Sequence, residues 1–335
     1  MRSHSGVSVR FLGALLLLAV TLVVGVMHGP TPIPLGTILG RLAHPNGSIT
    51  STIIWDIRMP QVLTASLVGG ALAVAGAVMQ ALLKNPLADP YIVGASSGAG
   101  LGATLAQELM PYAGLMAPGA FVGALAAVFV SYLLSRGRGT SSMLILILAG
   151  YAIGIILSSV TTFLMLINQQ SLTTIFAWEV GGIDGTNWSE LAISFGLVLL
   201  ATAVIWPLVP DMNALLLGEE QAHHMGVPVR RVQTILLAAA SLLTAAAVYL
   251  SGLIGFVGLV IPHIVRRING PNHRTLIPLS FLIGAAFLSL ANTVAQSLPV
   301  IGPVPVGLVT AFLGGPYFLY LLVQHNRQRQ RGGVS

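Results

Sequence analysis

The sequence has no cysteine, a single lysine (Lys84) and only 7% charged residues over 335 positions. Without thiols there are no disulfides and no thiolate metal sites. The phosphate-cradling pattern G-x-x-x-x-G-K-[ST] is absent, and Lys84 lies in LLKNPL, so the chain does not hydrolyse ATP itself. A histidine metal site is excluded by spacing. His223 and His224 are adjacent and diverge on a helix, while His4, His28, His44, His263, His273 and His325 are scattered. So few charges also exclude an ordinary soluble domain.

What remains is apolar. Hydrophobic residues make up 55% of the chain, glycines number 38, and the mean hydropathy is +0.88. Ten stretches approach the roughly 20 residues that a bilayer demands of a helix. They are 11–28, 60–82, 92–109, 114–134, 143–167, 191–208, 232–250, 254–266, 276–297 and 305–323, the eighth being short and reading as partly spanning. Clusters of Pro and Gly punctuate them, as in LPVIGPVP before the last. The reading is an all-α, polytopic membrane protein, one transmembrane domain over 1–335. The first span follows Arg2 and Arg10 like a secretory signal, but no A-x-A-like cleavage site comes after it, so it reads as a retained helix.

The calculated pI near 10.2 would suggest nucleic acid in a soluble protein. Here the charges sort by side instead. With the N-terminus inside, every one of the 15 basic residues except Arg41 and Arg58 falls on the cytoplasmic side, which places both termini there. The basic balance is a topology signal, and no nucleic-acid partner is implied. Outside the membrane the longest segments are 29–59 and 168–190, the second carrying Trp178 and Trp188 at positions suited to an interfacial belt.

Small residues recur every four positions: Gly94, Gly98 and Gly102; Gly119, Gly123 and Ala127; Gly150 and Gly154. That spacing lets helix backbones approach closely in lipid, where packing replaces the hydrophobic drive.

One block breaks the apolar pattern. PDMNALLLGEEQAHHMGVPVRR (210–231) concentrates Asp211, Glu219, Glu220, His223, His224, Arg230 and Arg231. It reads as two short helices within 211–228, with Gly218 and Gly226 just past each piece, where glycine alone turns without strain. Pro228 then blocks simple continuation. Spacing alone leaves two readings of such an elbow, a handle for another protein to push and an ordinary solvated loop.

The source of energy is constrained by what the spans omit. Ion-coupled carriers hold ionisable groups inside their spans, and no acid lies within these, Glu108 being at a helix end. An ion-coupled secondary transporter is therefore the alternative reading. A remoter one is an intramembrane serine protease, with Ser96 or Ser97 of GASSGAG as nucleophile and His263 as base. Such enzymes use G-x-S-G, and here Gly94-Ala95-Ser96 is followed by Ser97.

Four strings then resemble one family. RMPQVLTASLVGGALAVAGAVMQALLKNPLADPYIVGASSGAGLGA (58–103), LGEEQAHHMGV (217–227), SGLIGFVGLVIPHIVRRINGPNHRTLIP (251–278) and VPVGLVTAFLGGPYFLYLL (304–322) are similar to the FecCD family. These are membrane subunits of type II ABC importers for iron-siderophore complexes, haem and vitamin B12. The resemblance implies a ten-helix permease of the bacterial cytoplasmic (inner) membrane, pairing with a second permease subunit, either itself as a homodimer or a sister chain. Two ATP-binding subunits would carry ATP and Mg, leaving this chain no cofactor of its own, and an external substrate-binding protein would deliver cargo. Carried over residue by residue, the coupling segment is Leu215, Leu216, Leu217, Gly218, Glu219, Glu220, His223, Gly226 and Val227. The cytoplasmic gate is Asn85 and Leu87 with Ser141 and Ser142. Binding-protein docking falls to Arg58 and Arg41, because the family's R-x-P-R has Gln61 here and its A-D-x-x-A-R ends in Gln296. His263 reads as a cap of the short eighth helix.

Overall fold

The computed structural model describes residues 4–29, 31–43, 46–111, 114–135, 143–298 and 304–332, leaving Ser141 and Ser142 outside the described residues. Among those described there is no strand. Fifteen α-helices follow in order. The first four are α1 (His4–Met27), α2 (Leu35–Ala43), α3 (Ile49–Thr52) and α4 (Met59–Leu82), and a π-turn at Ile53–Arg58 joins α3 to α4. Next come α5 (Ala95–Leu109), α6 (Met116–Ser135), α7 (Met143–Ile167), α8 (Gln169–Glu179) and α9 (Trp188–Ile205). The remainder are α10 (Val209–Leu215), α11 (Glu219–His224), α12 (Val229–Ser251), α13 (Val257–Asn269), α14 (His273–Ser297) and α15 (Val306–Gly332).

Among the described residues, eight helical stretches are long and apolar enough to cross a membrane. Two further bundle helices, α5 with 15 residues and α13 with 13, are shorter. Together they occupy the ten stretches expected from the sequence, so the chain is an all-α polytopic bundle. The third stretch starts later than expected because Gly94, at φ 90°, turns the chain into α5. The eighth shifts to 257–269 because Gly252 (φ 63°) and Phe256 (φ 69°) hold an irregular turn before it.

α4 is the axis. It begins with Pro60, whose fixed φ suits a first turn, and carries no charge from Met59 to Leu82. Nearly every residue of it is buried, against α12, α13 and α14. Small residues make this possible. A Cβ on Gly76 would strike the backbone of Gly258 in α13, and one on Gly69 would strike Gly284 in α14. α5 and α6 close in the same way, Gly98 against Gly123 and Gly102 against Gly119. Gly94 faces Gly150 of α7, where an added Cβ would lie 3.1 Å from the Gly150 carbonyl. α7 is the opposite of α4: one face packs on α5 and α6, and Leu148, Tyr151, Ile155, Phe163 and Leu166 stand exposed along it.

Candidate coupling and gating site

The elbow is an extension of a bundle helix. Trp188–Leu215 is almost continuous, passing through a short 3-10 turn at Trp206–Leu208 before α10. α10 ends at Leu215; Leu216 and Leu217 form a turn, and Gly218 sits at φ 122°, ψ 156°, a conformation essentially reserved for glycine. α11 then runs to His224, and Gly226 (φ 86°) turns the chain toward Pro228 and α12.

Its surface is divided. Leu215, Ala222 and Val227 are buried and anchor the elbow on the bundle. Leu216 is 45% exposed, Leu217 61% and Met225 63%, so the outward face is apolar where free water would favour polar residues. Glu220, His223 and His224 also point outward. Behind the elbow, Asn213 Nδ2 donates to Asn272 Oδ1 at 3.1 Å, and the His273 backbone N–H donates to Asn213 Oδ1 at 2.9 Å, tying α10 to the start of α14.

Glu219 faces the other way. Its Oε1 lies 3.5 Å from Lys84 Nζ and accepts from Gln233 Nε2 at 3.1 Å. Lys84 closes α4: its N–H donates to Ala81 O and that of Asn85 to Gln80 O, the paired bonds of a Schellman ending. Glycine usually takes that position, yet here lysine holds φ 49°.

The loop that follows, 85–94, is internally organised. Asn85 Oδ1 accepts the Leu87 N–H at 3.0 Å, and Asp89 Oδ1 accepts that of Tyr91 at 2.8 Å. Burial pushes the Asp89 carboxyl up from 3.8 to about 6. Beneath the loop lies buried Gln80, which the sequence reading did not single out. Its Nε2 donates to Leu259 O at 3.0 Å and Ala88 O at 3.4 Å, while its Oε1 accepts from Arg266 NH1 at 2.8 Å. An amide inside an apolar, charge-free helix was the available signal.

Arg58 is corrected. It is 4% exposed, and its guanidinium donates to Val26 O (2.8 Å), Met27 O (3.2 Å) and Thr31 O. It braces the orphan carbonyls at the end of α1 and offers almost no surface to a docking protein in this conformation. Arg41 ends α2, half-buried, and its carbonyl accepts from Trp55 Nε1 at 3.4 Å. Gln61 donates to Asp184 Oδ1 at 3.1 Å.

His263 is likewise not a cap. It lies mid-helix in α13, its ring edge-on to Tyr317 with centroids 6.5 Å apart. It borders a small cavity with Leu87, Arg266 and Arg267, whereas Ser96 and Ser97 border a separate groove of about 950 Å³ between α5 and α7. Ser97 accepts from Ser158 at 3.2 Å. The structure therefore does not bring the suggested nucleophile and base together.

A tightly packed helical bundle with membrane-length apolar helices and a projecting elbow is the architecture of a polytopic membrane protein. Residues 16–324 match the FecCD transport family, and the chain belongs to it. It is 41% identical over 302 residues to the cobalamin import system permease protein BtuC of Halobacterium salinarum, covering 89% of this chain and 81% of that one. It is 41% identical over 284 residues to the hemin transport system permease protein HmuU of Yersinia pestis, covering 82% and 85%. A chain assigned to the metal-chelate type of ABC transporter, solved in an inward-facing conformation, superposes with a TM-score of 0.82 at 29% identity, over 95% of this chain and 99% of its own. The protein is thus a multi-pass permease subunit of an ABC importer, working with partner subunits.

Proposed function

We propose that this chain is a single permease domain that moves a metal chelate (an iron-siderophore, haem or cobalamin) into the cytoplasm as a homodimer. Both termini and the elbow face the cytoplasm, and the membrane is the bacterial inner one. Two ATP-binding subunits seat on Leu215–Val227, binding ATP and Mg themselves. A binding protein delivers cargo at the opposite end, where Arg41 is the remaining candidate cation for docking.

The observation that carries this reading is the split surface of the elbow. Leu216, Leu217 and Met225 project from an anchored segment whose rear face touches Lys84 and hence the Asn85–Leu87 loop. A push on the front is passed to the loop at the end of α4 and α5, which is where a gate belongs. The α5–α7 groove, lined by Tyr151, Ser158 and Thr162 as well as Ser96 and Ser97, is the face that a second copy would enclose as the path. A cavity of this kind binds cargo weakly and performs no covalent chemistry.

Reconstitution in proteoliposomes with the cognate ATP-binding and binding proteins tests it, using cobalamin, haem and ferric siderophore in separate arms. Concentrative uptake of one of them should require ATP and both partners, and Leu217→Asp should abolish it. Uptake driven by a proton or sodium gradient without the ATP-binding subunit would establish the ion-coupled reading instead.

A further inference from the structure

The small cavity beside the gate loop has its own chemistry, independent of the transport reading. His263, Arg266 and Arg267 come from one helix, Pro86 and Leu87 from the loop, and Leu321 from α15. Its volume is about 290 Å³.

Two features of this cavity are unusual. Its arginines lack a counter-ion: among the described residues the ion pair formed is Lys84–Glu219, and Arg266 and Arg267 donate only to the neutral amides of Gln80 (2.8 Å) and Gln324 (3.4 Å). Each guanidinium keeps further N–H groups free, in a fork that matches a phosphate. Secondly, His263 Nδ1 is buried without a hydrogen-bond partner. Buried polar atoms normally find one, and the two arginines beside this ring have no carboxylate partner among the described residues, so the positive charge there is unbalanced.

Depth narrows the anion. The apolar run of α15 ends at Gln324 and that of α4 at Leu82. The cavity therefore lies where spanning helices leave the hydrocarbon, level with headgroups, and Leu87 and Leu321 supply an apolar wall beneath the charges. Basic pockets between helices at this depth suit anionic headgroups.

We propose that this cavity binds a phosphate-bearing anion, taken either from the phosphodiester of an anionic lipid or from free phosphate. Arg266 and Arg267 hold the phosphoryl oxygens, and His263 borders them. Since Gln80 joins Arg266 to the carbonyl of Ala88, occupancy also steadies the gate loop.

The test uses the delipidated full-length chain in neutral detergent, followed by native mass spectrometry. Separate arms add phosphatidylglycerol, phosphatidylcholine and phosphatidylglycerol with excess inorganic phosphate. Phosphatidylglycerol adducts should exceed phosphatidylcholine adducts and should fall roughly fivefold for Arg267→Gln, and further when Arg266→Gln is added. Arg274→Gln, an exposed arginine outside the cavity, should leave them unchanged. Displacement of the lipid by inorganic phosphate assigns the site to free phosphate, and its failure to displace assigns it to lipid. Arg267 is exposed and meets only Gln324, so its variant should keep the wild-type thermal unfolding profile. Equal adducts for both lipids, or equal losses in all arginine variants, would overturn the proposal.

Discussion

Lys84 Nζ meets Glu219 Oε1 at 3.5 Å, joining the turn that closes α4 to the first turn of the elbow's second helix. The two side chains are 42% and 49% exposed, so the pair contributes well under about 1 kcal/mol to stability. Its value is positional. Lysine at φ 49° costs about 1 kcal/mol that glycine would not incur. Stability and coupling therefore separate at this residue. Lys84→Gly should unfold no earlier than wild type and yet show reduced ATP-dependent transport in the reconstituted system. Lys84 is also the one lysine of the chain, so carbodiimide should form a Lys84–Glu219 amide detectable by mass spectrometry, in a yield that changes with nucleotide. A Lys84→Gly protein with full transport would show that the link transmits nothing.

Arg58 supports a different expectation from the one its sequence position suggests. Its donors satisfy carbonyls at the end of α1 and of Thr31, so Arg58→Ala orphans one buried and two part-buried acceptors at once. The cost is about 3 kcal/mol, seen as earlier thermal unfolding in detergent and insensitive to salt, because the partners are dipoles held inside the chain. Arg41→Ala should leave unfolding nearly unchanged. If Arg58→Ala unfolds normally and instead shows salt-dependent loss of binding-protein affinity, Arg58 is a docking residue after all.

The contrast shows what the sequence could and could not reveal. Apolar runs interrupted by Gly and Pro placed all ten bundle helices, and Gly218, Gly226 and Pro228 marked the elbow, because those signals are local and steric. The fate of Arg58 depended on the end of α1 returning beside it, a contact between residues 32 positions apart for Val26. Charge asymmetry identified Arg58 as different from the other arginines but could not say whether it faced water or backbone. Gln80 stood out only as an amide in an apolar helix, and its role was not legible because its partners Leu259 and Arg266 lie across the bundle. The helix α8 within 168–190 was also missed, since its mixed polarity lacks a clear apolar face.

Close approach at glycine gives a sharper mutational contrast. Gly76 of α4 lies against the backbone of Gly258, which cannot yield as a side-chain tip can, so even Gly76→Ala must separate α4 from α13. Overpacking of this sort costs about 1–3 kcal/mol or more. Gly196 in α9 has nothing within 4 Å of an added Cβ, and Gly196→Ala should stabilise its helix by about 0.5–1 kcal/mol. Thermal unfolding of the two alanine variants in the same detergent should move in opposite directions. A neutral Gly76→Ala would mean that the α4–α13 contact is looser than its geometry implies.

The loop 85–94 should respond to acid through Asp89. Its carboxyl is raised from 3.8 to about 6 because burial disfavours the charged form, only partly offset by the N–H of Tyr91. A raised carboxyl favours the folded loop when protonated. That contribution is fully present below about pH 4 and is lost as pH rises through about 6. At neutral pH the loop therefore carries an ionised, poorly solvated group and opens most readily. Amide exchange of residues 83–94, corrected for intrinsic rates, should slow as pH falls from about 7.5 to about 5. Asp89→Asn keeps an oxygen acceptor for Tyr91 and removes the charge, so its protection should be high and independent of pH. Protection that instead increases with pH would require a cation paired with the ionised carboxylate, and Asp89→Asn would then weaken the loop at neutral pH.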